Sequence, residues 1–270
     1  MRRYLPQARE PRGDARVKET GVDDDISPHH SYRLAALDQD FILGDSMRGV
    51  RFQLEYAKPE EELRRWRIRS TLVVFGSARV RENGPGRQPF IYEQARAFGR
   101  LASQRGGALD VSEGGYRDNV IATGGGPGVM EAANRGAYEV AAPSIGFNIS
   151  LPHEQVPNPY TTPQLTFRFH YFAMRKMHLA MRANALVVFP GGFGTLDELF
   201  EILNLQITGK APPVAVVLFD EAYWRSVVNF QALIDEGMVS AGEVGLIRFA
   251  DTAEEIWTQL VAGGLKLPKR

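Results

Sequence analysis

The chain has 270 residues, 32 basic and 32 acidic side chains, no cysteine and a hydrophobic fraction of 44%, a composition that excludes fibrous, disulfide-scaffold and wholly disordered classes. Without cysteine there is no thiolate nucleophile, thiolate metal site or disulfide, in keeping with a reducing compartment. Balanced charge supplies no global field toward polyanions, so no nucleic-acid partner is expected.

Residues 1–25 mix both signs of charge with Pro and Gly and carry almost no apolar pattern, so a disordered tail is expected there. Residues 26–70 read as an N-terminal helical arm. Apolar residues return between Tyr32 and Trp66 at irregular helical spacing, and interruptions at Gly44, Gly49 and Pro59 predict two or three short helices. No apolar run approaches the ~20 residues that span a bilayer, so no membrane partner is expected and the chain reads as cytoplasmic.

From Thr71 to the end, short aliphatic runs alternate with longer amphipathic stretches, which signals βαβ units in one catalytic domain over residues 71–270. Strands are expected at Thr71–Phe75, Asn119–Thr123, Ser144–Asn148, Ala185–Phe189, Val214–Phe219 and Leu246–Phe249. Helices are expected at Ile91–Gln104, Gly128–Val140, Tyr171–Arg182, Thr195–Thr208, Ala222–Ile234 and Ala253–Val261. Near-continuous apolar runs such as ALVVF suit strands covered on both faces. The expected fold is therefore α/β, a Rossmann-like doubly wound parallel sheet preceded by the helical arm. Gly106–Asp118 reads as a surface loop, and Leu151–Pro163, with four prolines, as a long connection.

The strongest motif runs from Pro190 to Glu198, PGGFGTLDE, directly after an expected strand and opening a helix. Glycines at such a turn let the backbone approach a ligand, and free N–H groups at the helix start suit an anion. The bland alternative is a cap at Thr195 followed by acids, Asp197 and Glu198, that complement the helix dipole. A second turn, Gly124, Gly125 and Gly126, also follows a strand, but Val129 occupies the last glycine position of a dinucleotide fingerprint and no P-loop Lys-Ser/Thr follows. Ser77 belongs to a third turn of this kind. Each alone is as readily a tight connection; together they favour a nucleotide-sized phosphorylated ligand. Arg175 and Lys176 are helical neighbours about 100° apart, so one can face a site while the other is solvated. Five histidines without HExxH spacing give no metal site, and no nucleophile elbow appears.

On these residues the sequence resembles the LOG (Lonely Guy) family of cytokinin riboside 5′-monophosphate phosphoribohydrolases, often mislabelled lysine decarboxylases. The PGGxGTxxE pattern is complete at Pro190–Glu198, and Phe172–Met177 resembles the family's MxRK helix. The resemblance implies hydrolysis of AMP or an N6-substituted relative to free base and ribose 5-phosphate. It implies Arg175 and Glu198 as the catalytic pair and Gly191, Gly192, Gly194 and Thr195 as the phosphate site. Gly124, Gly125, Gly126, Ser77, Glu154, Lys176 and Asp197 join them as substrate-binding candidates. No cofactor is implied, and pyridoxal chemistry finds no Schiff-base lysine. A homodimer or larger even-numbered oligomer is expected, with Leu199, Ile202, Leu203 and Ile207 offering more apolar surface than one sheet contact requires. The alternative is a non-catalytic carrier of molybdenum cofactor or another phosphorylated ligand. Asp197, where plant members usually have Glu, Glu131, where short members often have Gly, and an arm that short members lack are the departures.

Overall fold

Short β-branched and aliphatic runs form the strands, and between them the chain turns helical wherever apolar residues recur every three or four positions. The computed structural model describes residues 30–112, 114–151 and 156–268, so the expected tail over residues 1–25 lies outside the described residues. The described chain divides into two compact units, with the boundary between Arg51 and Phe52. In the first, α1 (Gln39–Leu43) is capped by the Asp38 carboxylate, which accepts the Phe41 N–H at 3.2 Å, and Arg51 donates to the Ile42 and Gly44 carbonyls.

The helix α2 (Arg48–Arg65) runs without a break through Gly49 and Pro59, against the expected interruptions. Gly49 sits in the first turn, where backbone N–H groups lack intrahelical partners anyway. Pro59 removes the N–H that would bond the Glu55 carbonyl, and the buried imidazole of His178 takes that acceptor instead, its Nε2 3.1 Å from the oxygen.

The second unit holds a seven-stranded, wholly parallel sheet in the order β4-β3-β2-β1-β5-β6-β7. Its strands are β1 (Thr71–Phe75), β2 (Val120–Thr123), β3 (Ser144–Ile149), β4 (Thr166–Phe169), β5 (Ala183–Val188), β6 (Ala215–Phe219) and β7 (Ile247–Ala250). Every residue of β1 and β6 is buried, as strands covered on both faces require. The α/β, Rossmann-like class is thus observed. The edge strand β4 was not expected: TFRF is only four residues, with Phe167 and Phe169 buried on either side of the exposed Arg168.

The helices of this unit are α3 (Gln88–Gly106), α4 (Val129–Tyr138), α5 (Phe172–Met181), α6 (Phe193–Ile207), α7 (Glu221–Val227), α8 (Phe230–Asp235), α9 (Ala241–Val244) and α10 (Ala253–Ala262). The single helix expected over Ala222–Ile234 is two. Val228 is extended and the Asn229 side chain accepts the Ala232 N–H at 3.0 Å, which starts a new helix. On α6, Leu199, Ile202 and Leu203 are buried in the core of this unit, so they offer no surplus surface to a partner.

The helices α3 and α4 touch backbone to backbone. A Cβ at Gly136 would collide with the Arg96 carbonyl, and one at Gly99 with that of Ala133. Gly136→Ala is therefore expected to destabilise the protein by about 1–3 kcal/mol or more through overpacking, read as a lower urea midpoint at unchanged slope.

Candidate functional site

The strand order reverses between β1 and β5, and the loops leaving their carboxyl ends part to form a crevice, the place where open α/β sheets hold ligands. A cleft of about 840 Å³ lies there, walled by residues 76–80 after β1 and by residues 190–195 after β5, with Arg175, Glu198 and Tyr223. The two loops are tied together. The Ser77 N–H donates to the Pro190 carbonyl at 3.0 Å and the Phe189 N–H to that of Phe75 at 2.8 Å, while Tyr223 on α7 braces the second loop, its hydroxyl donating to the Gly191 carbonyl at 2.7 Å. The helix α6 starts at Gly192 with no side-chain cap, and Thr195 is buried against Gly191. Thr195 is thus not the cap that the bland reading supposed, and the unpartnered N–H groups of the first turn leave a positive pole at the crevice.

Arg175 on α5 reaches across to α6. Its Nε donates to the Phe147 carbonyl at 2.8 Å and its Nη1 stands 3.3 Å from Glu198 Oε1. Both side chains are nearly enclosed, 12% and 7% exposed. Burial pushes the Glu198 carboxyl up to about 7, against the opposing pull of Arg175 and Lys176. Burial likewise lowers the Arg175 guanidinium, with Glu198 and Asp197 opposing. Each charge is thus more strongly penalised by desolvation than relieved by its partner, so the pair is a candidate for chemistry and not a source of stability.

The other sequence candidates divide. Ser77 lies on the cleft wall, where its Oγ accepts the Arg79 N–H at 3.1 Å. Gly191, Gly192, Gly194 and Asp197 also line the cleft. Lys176 does not: its Nζ is held by Asp197 at 2.8 Å and Glu201 at 2.9 Å, fastening α5 to α6. Gly124, Gly125 and Gly126 are buried behind the site rather than on its wall. A Cβ at Gly124 would stand 2.5 Å from Arg175 Nη2, so this glycine makes room for the arginine. Thr123 and Asn158 hold that turn through the Gly125 N–H and the Gly126 carbonyl. Glu154 lies outside the described residues.

Sequence reasoning missed the residues that hold α5. The Glu55 carboxylate accepts the His170 and Tyr171 N–H groups at 2.8 and 3.2 Å, just before α5 begins. Further along, His178 bonds the Glu55 carbonyl; burial keeps it below its ordinary pKa and hence neutral, with Nε2–H as donor. At the far end Arg182 binds Glu60 through both terminal guanidinium nitrogens, Nη1 and Nη2, the latter at 2.9 Å. The helix α2 therefore grips the arginine-bearing helix at its start, middle and end. The signal was the group of acids Glu55, Glu60, Glu61 and Glu62 in the arm, which a solvated face displays equally well.

The Arg182 guanidinium holds Glu60 below the usual carboxylate range, so its stabilisation is present at neutral pH and is lost as pH falls through that depressed value. Glu60→Gln is expected to cost about 3 kcal/mol at pH 7, with the gap to wild type narrowing in urea melts below the ordinary glutamate range.

Residues 130–260 match the family model described as possible lysine decarboxylase. A probable cytokinin riboside 5′-monophosphate phosphoribohydrolase LOG4 from Oryza sativa subsp. japonica is 27% identical over 198 residues, 72% of this chain and 76% of the relative. The LOG4 enzyme of that description from Arabidopsis thaliana is 25% identical over 167 residues, 60% of this chain and 76% of its own. An X-ray structure of the structural-genomics target TM1055 superposes with TM-score 0.51 at 23% identity, covering 72% of this chain and 99% of that one. A molybdenum cofactor binding protein from Rippkaea orientalis reaches a TM-score of only 0.46 at 20% identity over 72% of this chain and 96% of its own, too slight a likeness to argue from. The fold is that of Rossmann-like α/β proteins. Within that class, the likeness to the LOG family read from the motifs is borne out by these matches, at low identity. Among the described residues no helix is long and apolar enough to cross a membrane.

Proposed function

We propose that this chain hydrolyses the N-glycosidic bond of a purine nucleoside 5′-monophosphate, AMP or an N6-substituted relative, to free base and ribose 5-phosphate. The observation that carries the reading is the buried Glu198 facing Arg175 in a cleft that opens at the start of α6. The names of the LOG relatives support it. Breaking an N-glycosidic bond builds positive charge on the sugar, and a carboxylate beside it stabilises that charge or activates water. Phosphate bound at the helix start fixes the ribose against Glu198 and supplies binding energy remote from the reacting bond. Arg175 clamps ribose hydroxyls or phosphate while restraining the Glu198 carboxylate.

Incubating the protein with a panel of nucleoside monophosphates and chromatographing the released bases tests this. Wild type releases base from AMP far faster than from adenosine, and Glu198→Gln retains AMP binding while losing about 100-fold or more in rate. Because the working form is the carboxylate and burial pushes the Glu198 carboxyl of the free protein up to about 7, kcat/KM falls as pH drops through that value. Equal turnover of AMP and adenosine, or a Glu198→Gln enzyme above a tenth of wild-type rate, refutes the assignment.

We propose also a homodimer or larger even-numbered oligomer. With Leu199, Ile202 and Leu203 committed to the core, the support is a stripe of exposed Phe193, Phe200 and Ile207 at seven-residue spacing along α6. Light scattering at micromolar concentration is expected to give at least twice the 30.1 kDa chain mass.

A further inference from the structure

Most arginines of the described residues are engaged. Arg69 holds Asp118, Arg87 holds Asp220, Arg105 holds Glu254, and Arg117 bonds two backbone carbonyls. Arg79 is one of the few exceptions, and it lies on the wall of the cleft: its side chain is exposed and makes no ion pair or hydrogen bond among the described residues. The loop that carries it is pinned. The Ser77 carbonyl accepts the Val129 N–H at 3.2 Å, Ser77 N–H is bound by Pro190, and Ser77 Oγ takes the Arg79 N–H. A free guanidinium is thus mounted on a braced turn across the crevice from the start of α6.

We infer that Arg79 is a second anchor for the phosphate, so that a phosphate monoester dianion is held between the α6 N-terminus and the Arg79 guanidinium. The inference rests on reading the cleft as a nucleoside monophosphate site and adds what makes it select a monoester. One pole supplies backbone dipoles, the other a full charge with a planar fork of donors that fits two phosphate oxygens. A neutral nucleoside engages neither pole.

Calorimetric titration with ribose 5-phosphate separates this from the hydrolase reading, because binding needs no turnover. Arg79→Ala is expected to weaken that affinity roughly 10- to 100-fold, the usual worth of a charge-assisted hydrogen bond. Arg79→Lys keeps the charge without the fork and should recover part of the loss. Arg67→Ala serves as the control for net charge, since Arg67 is likewise unpartnered but precedes β1, at the amino-terminal ends of the strands and so on the side of the sheet opposite the cleft. It should bind as wild type does. In turnover, the preference for AMP over adenosine should shrink in Arg79→Ala by the same factor. If no nucleotide is cleaved by wild type while Arg79→Ala still weakens ribose 5-phosphate binding, the hydrolase reading falls and the anchor stands. Equal affinity of wild type and Arg79→Ala, or no ribose 5-phosphate binding by wild type, overturns the anchor.

Discussion

Two opposite charges, Arg175 and Glu198, are enclosed 3.3 Å apart where two loops of the sheet diverge. Burial weighs more heavily on each than the attraction between them relieves, so the pair does not hold itself in place. The positions are imposed by everything around them. The Phe147 carbonyl fixes the guanidinium, Gly124 leaves space for it, and Lys176 fastens α5 to α6 through Asp197 and Glu201. Tyr223 holds the Gly191 carbonyl and with it the turn from which α6 starts. On the proposed reading, such a site trades stability for a carboxylate whose charge is available near neutral pH.

The helix α2 belongs to the same support. Its Pro59 would ordinarily disrupt a helix, because it leaves the Glu55 carbonyl without a donor. Here the freed carbonyl is the acceptor for the Nε2–H of a buried, neutral His178, so the local defect in α2 is met by one ring nitrogen of a buried side chain. Glu55 and Glu60 complete the grip at either end of α5. These residues never approach the cleft wall, yet they set where Arg175 can stand.

Much of the sheet was readable because parallel strands covered on both faces appear as unbroken aliphatic runs, and TLVVF, ALVVF and VAVVLF show this directly. The misses have equally local causes. TFRF alternates polar Thr166 and Arg168 with Phe167 and Phe169 and so lacks the unbroken aliphatic run that marks the central strands, and a single polar cap, Asn229, divides a stretch whose apolar spacing reads as one helix. Pro59 misled in the opposite direction, since its usual penalty is offset by a partner 119 residues later in the chain.

The amino-acid sequence by itself determined the class of fold, the glycine turn that opens α6, and the candidacy of Arg175 and Glu198, because strand runs, helix starts and charged residues in a motif are all short-range patterns. Only the tertiary structure decided which turns share a cavity. The strand order places the loops after β1 and β5 side by side and sets the Gly124–Gly126 turn behind Arg175. It also separated two adjacent bases, Arg175 into the site and Lys176 onto the carboxylates of α6. The physical reason is that burial and pairing depend on which distant segments meet, and that is settled by packing the whole sheet and its helices, not by any spacing along the chain.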